Sequence, residues 1–299
     1  DVYKRQVIEM GARGQGHIAD LCAIATPTIG VVTAVAAVHT ELFGTLEDIA
    51  RAKGELVEAV PVDGFAVLNG DDPAVAAMAD RTEATVVTYG ADGDVRAGGV
   101  ELDADLRPRF RIEVGGERAA VHLAVSGRHN VSNALAAAAI GHVCGIPLPR
   151  IAEGLEGATL SPWRMELRRS AAGGVVINDA YNANPTSMRA ALDSLAAFDA
   201  DRRVAVLGAM GELGAGSAAA HLEVAGHAAA LGIEVVAVAC DAYGAQVRHV
   251  GSVDEARAAL GPVEPGSAVL VKASRAAGLE RLAIDLAPRG KDGPAPAVE

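Results

Sequence analysis

The fold of this chain is constrained most by an alternation between short β-branched runs and alanine-rich runs of helical length. Runs rich in Val and Ile recur along the sequence and are commonly followed by longer segments in which alanines dominate. Alternation of this kind is typical of βα units, in which parallel strands are joined by helices. The sequence therefore predicts an α/β fold built on mostly parallel sheets.

The positions of these runs predict the individual elements. The predicted strands cover residues 7–9, 29–35, 65–69, 84–89, 175–178, 204–208, 234–239 and 268–272. The predicted helices cover residues 46–60, 73–79, 130–145, 147–155, 187–197, 218–231, 253–260 and 278–286. Residues 93–127 predict small antiparallel hairpins with Gly-Gly turns. A breaker-rich stretch at residues 157–174 places a domain boundary near residue 166 and predicts two domains, 1–166 and 167–299.

The charge balance limits the partners of the chain. There are 26 Lys and Arg residues against 38 Asp and Glu residues, which gives a formal net charge of −12. An acidic chain does not suit the coating of nucleic acid, whose phosphates favour basic surfaces. A small phosphate ligand needs only a local group of donors or a metal, so a bound nucleotide is not excluded.

Cysteine content and hydropathy point to the cytoplasm. The three cysteines are far apart in the sequence, so they indicate no disulfide framework and no metal knuckle. No run reaches the roughly 18 uninterrupted apolar residues of a membrane-spanning helix. We therefore expect a cytoplasmic protein without a membrane span.

Three residues in the first third of the chain are candidates for metal chemistry. Glu9 ends the first predicted strand and is followed by glycines, an arrangement that could hold Mg²⁺ beside a phosphate, although a solvent-facing acid is an equal alternative. His39 follows the second predicted strand, where a structural role is the commoner one. Lys53 lies in an amphipathic helix and is typical of a surface lysine unless it is desolvated.

Two further segments suit an adenine nucleotide. Asn69 ends a predicted strand, and its amide could contact a base edge. Asp72 needs no such role, because an Asp before a Pro suits the N-cap of a helix. Arg128 and His129 stand directly before a predicted helix N-terminus and favour an anion there, while Asn130 is equally a candidate cap.

Polar residues also follow strands in the second half of the chain. Asp179 and Asn182 come after one strand and suit a ribose diol, although turn and capping chemistry explains much of this segment. Lys272, Ser274 and Arg275 come after another strand and could gather donors around a carboxylate or phosphate.

Two common phosphate-binding motifs are missing from the sequence. The glycines at positions 208, 211 and 214 are spaced GxxGxxG rather than GxGxxG, and no GxxxxGK[ST] sequence occurs. Neither a Rossmann dinucleotide site nor a P-loop is therefore predicted within these residues.

The order of the polar segments carries more information than any one of them. The segments VIEMGA, VHTELFGTLEDIARAKGE, LNGDDP, GRHNVSNALAA, INDAYNANPTSM, VLGAMGELG and VKASRAAGLE follow one another from residue 7 to about residue 286. In this order they resemble the Mur ligase family. The resemblance implies the remainder of a P-loop-type central ATPase domain, followed by a Rossmann-like C-terminal domain. It also implies that the N-terminal domain and the P-loop are missing, and we expect a truncated chain that is inactive alone.

The resemblance assigns roles to matching positions. It implies Mg²⁺ ligation by Glu9, by His39 and by a carbamate on Lys53, and catalytic roles for Lys53, His39 and Arg164, the last reaching an ATP phosphate. It implies a nucleotide site that includes Asn69, Arg128, His129, Asn130, Asp179 and Asn182. Lys272, Ser274 and Arg275 resemble the loop near the incoming substrate.

The motifs are most similar to those of family members that join D-alanyl-D-alanine to UDP-N-acetylmuramoyl-tripeptide through an acyl phosphate. We therefore expect ATP and Mg²⁺ as cofactors, these two substrates as partners and a monomeric chain. Two alternatives stay open: another amino-acid-adding Mur-type ligase, for diaminopimelate or lysine or similar to cyanophycin synthetase, or a non-catalytic nucleotide-binding remnant. The chain departs from the family pattern at Ala34, Thr40, Trp163, Ala209 and Ala273.

Overall fold

The computed structural model describes residues 5–36 and 44–288 of the 299-residue chain. The fold divides into two compact units. The N-terminal unit comprises Asp1–Gly98, Arg111–Ala119 and Ser132–Ala152, and the C-terminal unit comprises Gly99–Phe110, Ala120–Val131 and Glu153–Glu299. The domain boundary near residue 166 stays a prediction.

The N-terminal unit contains a parallel sheet of three strands, in the order β1-β2-β3. The strands are β1 (Ile29–Val32), β2 (Phe65–Asn69) and β3 (Thr85–Tyr89). The central strand β2 is buried along almost its whole length, which explains its continuous apolar run. Its bounds match the predicted 65–69.

Three helices accompany this sheet: α1 (His17–Ala25), α2 (Leu46–Glu58) and the short α3 (Pro73–Ala76), which continues as a 3-10 turn, Ala77–Arg81. Thr45 begins α2 with a capping box, in which its side chain accepts from the Asp48 backbone and the Asp48 carboxylate accepts in return. Asp72 caps α3 ahead of Pro73, as the sequence predicts.

Residues 7–9 do not form the predicted strand. They have no regular secondary structure, and Val7 is 94% exposed while Ile8 is 53% exposed. A strand needs a neighbour for its backbone groups, and within the described residues β1 pairs with β2 alone. An apolar run was therefore an insufficient signal at this position, and the prediction was wrong.

The region 93–127 forms the predicted small sheet, with the order β4-β5-β6. Its strands are β4 (Arg96–Leu102), β5 (Pro108–Val114) and β6 (Glu117–His122). Gly115 and Gly116 join β5 to β6 at φ 58° and 82°, the positive pair that a two-residue hairpin turn requires. The other Gly-Gly pair lies inside β4 rather than in a turn. The helices α4 (Asn130–Val143) and α5 (Leu148–Glu156) follow this sheet.

The C-terminal unit is built on a six-stranded sheet with the order β11-β10-β9-β12-β8-β7, parallel except for β7, which is antiparallel to β8. Its strands are β7 (Glu166–Arg169), β8 (Val175–Asn178), β9 (Arg202–Leu207), β10 (Glu234–Val238), β11 (Arg248–Val250) and β12 (Ser267–Lys272). Its helices are α6 (Pro185–Ala197), α7 (Ser217–Ala230), α8 (Val253–Leu260) and α9 (Glu280–Leu286).

Helices cover both faces of this sheet. Alternate strand residues belong to two separate cores: Ala205 packs in the cluster that contains α6 and α7 residues, and Val204 in the cluster that contains α8 and α9 residues. This is the doubly wound arrangement, in which ligands gather beyond the carboxyl ends of the parallel strands. In the described part of the chain no helix combines the length and the apolar character that a membrane crossing needs.

Candidate functional site

Two charged residues meet where β8 and β12 end. Val271 of β12 is in register with Asn178 of β8, so the residues that follow them, Lys272 and Asp179, share one edge of the sheet. Lys272 Nζ donates to Asp179 Oδ2 at 2.6 Å, to the Asn182 carbonyl at 2.8 Å and to the Asp179 carbonyl at 3.4 Å. The Lys272 side chain is only 3% exposed. Its three protons all point at protein acceptors, so Lys272 braces the turn that carries Asp179 and Asn182.

The second oxygen of Asp179 holds a neighbouring segment. Asp179 Oδ1 accepts from the Met165 backbone N–H at 3.0 Å, and the Trp163 carbonyl accepts from the Tyr181 N–H at 3.1 Å. Trp163 and Met165 have φ of 64° and 48°. Such left-handed conformations cost a non-glycine residue about 1–2 kcal/mol each, and these hydrogen bonds help to offset that cost.

Asp179 still has room for a ligand. Its side chain is 14% exposed, and each carboxylate oxygen can accept more than one hydrogen bond. A ligand hydroxyl could therefore bind without displacing either protein donor. Asn182 is exposed next to it.

Two arginines near this turn lie on aromatic rings. The Arg164 guanidinium carbon is 4.0 Å from the centroid of the Tyr181 ring, and Arg164 Nε donates to Ser161 Oγ at 2.9 Å. The Arg275 guanidinium carbon is 4.1 Å from the centroid of the Trp163 ring. Both arginines are exposed, and neither forms an ion pair with an acidic residue within the described ranges. Their positive charge is therefore available to an anion.

The segment before α4 places one histidine, His129, near Asp179 and Lys272. Desolvation lowers the pKa of His129; the nearby Asp179 carboxylate opposes the shift and the Lys272 ammonium reinforces it. The ring lies against Gly127, where a Cβ would stand 2.5 Å from His129 Cε1. His129 is exposed, and the lowered pKa favours the neutral imidazole. Arg128 is exposed, whereas Asn130 is buried and donates from Nδ2 to the Ser126 carbonyl at 2.8 Å.

Ser274 stands at the start of the loop after β12. Its side chain is partly exposed, and its backbone N–H donates to the Ala209 carbonyl at 2.9 Å. This bond ties the loop after β12 to the loop after β9. The neighbouring Ala273 fits because it faces Gly208, where a Cβ would lie 2.8 Å from the Ala273 Cβ.

In the N-terminal unit, Asn69 joins two strand ends. Its Nδ2 donates to the Thr33 carbonyl at 2.8 Å, and its Oδ1 accepts from the Asp71 N–H at 3.0 Å. Asn69 is 8% exposed. Both ends of its amide are bound to backbone, which is a structural task, and the adenine contact stays a prediction.

Lys53 is half-buried and reaches the segment that follows β1. Its Nζ donates to the Ala34 carbonyl at 2.6 Å. Desolvation lowers the pKa of Lys53, while the Asp72 carboxylate opposes the shift. Asp72 Oδ2 also accepts from the Val35 N–H at 2.7 Å. Lys53 and Asp72 therefore hold the same two-residue stretch of backbone.

The metal site implied by the sequence is not assembled by the described residues. Glu9 is exposed in an irregular segment, and His39 lies outside the described residues. Across residues 5–36 and 44–288 no group of three or more His, Cys, Asp or Glu side chains could hold a metal ion. Magnesium binding by Glu9, His39 and Lys53 stays a prediction, and no chemical step is derived through it.

Sequence reasoning missed the aromatic partners of the two arginines and the clamp between Met165 and Asp179. Aromatic residues beside Arg164 and Asp179 are the signal in the sequence, because Arg stacks readily on Tyr and Trp. It also missed Glu55, whose carboxylate accepts from the Gly16 and Ala19 N–H groups at the start of α1.

Comparison with known proteins identifies the class to which this fold and site belong. Residues 2–141 match the family model described as Mur ligase middle domain, and residues 163–275 match the one described as Mur ligase, glutamate ligase domain. The chain belongs to the Mur ligase family, and the predicted family and α/β fold class are confirmed.

Within this family the chain is similar to UDP-N-acetylmuramoyl-tripeptide–D-alanyl-D-alanine ligases. It is 42% identical to that of Mycobacterium tuberculosis strain H37Rv, over 93% of this chain and 61% of the relative. It is 35% identical to that of Escherichia coli K12, over 78% of this chain and 52% of the relative. The chain thus spans about three-fifths of the length of the mycobacterial relative.

Solved structures give the same picture. MurF from Acinetobacter baumannii superimposes with a TM-score of 0.86 at 32% identity, covering 94% of this chain and 64% of that one. MurF from Thermotoga maritima, solved in complex with ADP, has a TM-score of 0.83 at 26% identity, covering 92% of this chain and 65% of that one.

Proposed function

We propose that this chain is part of an ATP-dependent ligase that joins D-alanyl-D-alanine to UDP-N-acetylmuramoyl-tripeptide in peptidoglycan precursor synthesis. The observation that carries the proposal is the 42% identity, over 93% of the chain, to a relative whose name states this reaction. The polar residues at the ends of β8 and β12 support it, because ligands in doubly wound sheets bind at that edge. A cytoplasmic monomer remains the expectation for its location and assembly.

The proposed reaction has two steps. The tripeptide carboxylate attacks the γ-phosphorus of ATP, so that an acyl phosphate forms and ADP leaves. The amine of D-alanyl-D-alanine then attacks the acyl carbon, and phosphate leaves as the amide bond forms and the amine proton is lost. Chemistry of this type depends mainly on positioning and on neutralising charge.

The described residues suit those two tasks. Arg164, held on Tyr181 without an acidic partner among the described residues, is the proposed neutraliser of phosphate charge. Asp179 is the proposed acceptor for a ribose hydroxyl, and Lys272 fixes its orientation through the 2.6 Å ion pair. The lowered pKa of His129 favours the uncharged ring, which adds little competing positive charge at this edge.

Lys53 is the proposed site of a carbamate. Carbon dioxide adds to a neutral amine. Burial lowers the pKa of Lys53 and so increases the fraction of the amine that is neutral. A carbamate would convert a cationic side chain into an anionic one and would give this residue ligands for a cation. The proposal rests on the resemblance together with the half-buried position of the amine.

Calorimetry on the 299-residue chain tests the proposal. We expect ADP to bind to the chain and to bind more weakly to Asp179→Asn, while Asp254→Asn, on the exposed surface of α8, serves as the matched control. D-Alanyl-D-alanine should bind in preference to lysine and diaminopimelate. Stronger binding of either amino acid would instead support a different member of the family.

Turnover provides the second measurement. The sequence has no GxxxxGK[ST] motif, whose backbone cradles the phosphates, so the chain alone should release no phosphate from ATP with both other substrates present. Robust release would contradict the expected inactivity of this chain.

A further inference from the structure

Trp163 has a conformation that its residue type does not favour. Its φ of 64° lies in the left-handed region, which suits glycine. The backbone alone gives no reason for a large aromatic residue at this position. The side chain gives one, because the indole ring is the surface on which the guanidinium of Arg275 lies, 4.1 Å from the ring centroid.

Arg275 itself is well placed to receive a ligand. It begins a 3-10 turn, Arg275–Ala277, directly after the loop that leaves β12. It is exposed and has no acidic partner among the residues that the structure describes. A guanidinium stacked on an aromatic face keeps its N–H donors in the ring-parallel plane, where they remain free for a two-point contact with a carboxylate or phosphate.

The indole ring rests on a fixed base. The Trp163 carbonyl accepts from the Tyr181 N–H at 3.1 Å, and two residues on, the Met165 N–H donates to Asp179 at 3.0 Å. Asp179 is in turn held by the buried Lys272. The backbone that carries the ring is therefore held in place, and the ring presents a surface that limits the conformations of the long Arg275 side chain before any ligand arrives.

We propose that Trp163 is a positioning residue that holds the Arg275 guanidinium against its indole face, ready to bind an oxyanion of the substrates. The identity of that oxyanion rests on the proposed function: it is the carboxylate of the incoming dipeptide or a phosphate of the nucleotide. A two-point contact between a guanidinium and an oxyanion is the shared chemistry.

Tryptophan emission tests the contact directly, because Trp163 is the single tryptophan of the sequence. We expect Arg275→Gln to change the emission maximum and to increase quenching by acrylamide. Arg281→Gln, an exposed arginine on α9, is the matched control and should change neither. Identical spectra for Arg275→Gln and the unaltered chain would overturn the proposal.

Calorimetry then tests the consequence for binding, with four probes: D-alanyl-D-alanine, its C-terminal amide, ADP and inorganic phosphate. At least one oxyanion should bind, and Trp163→Gly should weaken that binding by about two- to fivefold, the value of an exposed cation–π contact. Trp163→Phe keeps an aromatic face and should restore most of the affinity. Arg275→Lys keeps the positive charge but lacks the planar guanidinium, so this variant should bind the oxyanion as weakly as Trp163→Gly does.

The probes separate this inference from the proposed function. Binding of the dipeptide but not its amide assigns the carboxylate, and binding of ADP or phosphate alone assigns a phosphate. If inorganic phosphate binds, the dipeptide does not, and Trp163→Gly weakens the binding of phosphate, the positioning role is supported. The same result counts against the dipeptide as a substrate. Equal affinity in Trp163→Gly and Trp163→Phe, or no binding of any probe to the unaltered chain, would overturn the positioning role.

Discussion

Lys272 and Asp179 form a buried ion pair, in which Nζ lies 2.6 Å from Oδ2 and both side chains are largely excluded from solvent. Removal of one partner leaves the other charge without compensation, which costs about 3–5 kcal/mol in a buried pair. We therefore expect Lys272→Met to lower the free energy of unfolding in urea by an amount of that order.

The exposed pair of Arg202 and Glu234 provides a control, because its side chains are 46% and 44% exposed. Arg202→Met should change the free energy of unfolding by no more than about 1 kcal/mol. If Lys272→Met and Arg202→Met changed the free energy of unfolding by equal amounts, the ion pair of Lys272 and Asp179 would not stabilise the fold more than an exposed pair does.

Gly208 makes space for the methyl group of Ala273. A Cβ at position 208 would lie 2.8 Å from the Ala273 Cβ and 3.1 Å from Leu279 Cδ1. Overpacking of this kind costs about 1–3 kcal/mol, so Gly208→Ala should lower the thermal midpoint. Ala273→Gly in the same chain should recover part of the loss.

Gly226 is the contrasting position for that experiment. It lies within α7 and has open space where a Cβ would be placed. Gly226→Ala should raise stability by about 0.5–1 kcal/mol, because alanine is the better helix former. A loss of stability at both glycines would point to a cause other than the contact with Ala273.

The pKa of His129 predicts how stability changes with pH. Desolvation lowers the pKa of this imidazole in the folded chain below its ordinary value of 6.5. Between the folded pKa and 6.5 the unfolded chain binds more protons, so the free energy of unfolding rises with pH in this window and falls as acid is added. His129→Gln should flatten the curve there.

Proton NMR of the His129 ring checks the same shift without unfolding. The Cε1 proton should titrate at a lower pH than that of a free histidine. A second substitution of the same residue, His129→Asn, should flatten the stability curve in the same way. A ring that titrates at or above 6.5 would contradict the predicted desolvation.

Lys53 should form a carbamate more readily as pH rises through its lowered pKa, because only the neutral amine adds carbon dioxide. With ¹³C-labelled bicarbonate we expect a carbamate signal that is absent from Lys53→Arg. Asp72 raises the pKa of Lys53, so Asp72→Asn should move the onset of the signal to lower pH. A signal that persists in Lys53→Arg would assign the carbamate to another amine.

Much of the fold could be predicted because the apolar runs that become buried are bounded by residues that break strands and helices. The strands at 65–69 and 175–178 are buried apolar runs with breakers close on either side, and their predicted bounds match β2 and β8. Strand β7 was missed because it lies at the edge of the sheet. Its sequence, ELRR, is mostly charged and shows little apolar patterning. The run at 7–9 failed for the opposite reason, since it is apolar but unpaired.

The candidate site was predictable only in part. Parallel strands deliver their carboxyl ends to one edge, so Asp179 and Lys272 could be expected to lie together. The sequence does not reveal that the Lys272 ammonium is directed inward at Asp179, nor that Trp163 supports Arg275, because both depend on side-chain orientations set by tertiary packing.

The chain passes repeatedly between the two compact units. Residues 99–110 and 120–131 belong to one unit, whereas 111–119 and 132–152 belong to the other. A single protease cut between residues 110 and 132 therefore cannot separate the two units, because each product then lacks strands or helices that belong to its own unit. The two fragments on either side of such a cut should fold only when they are present together.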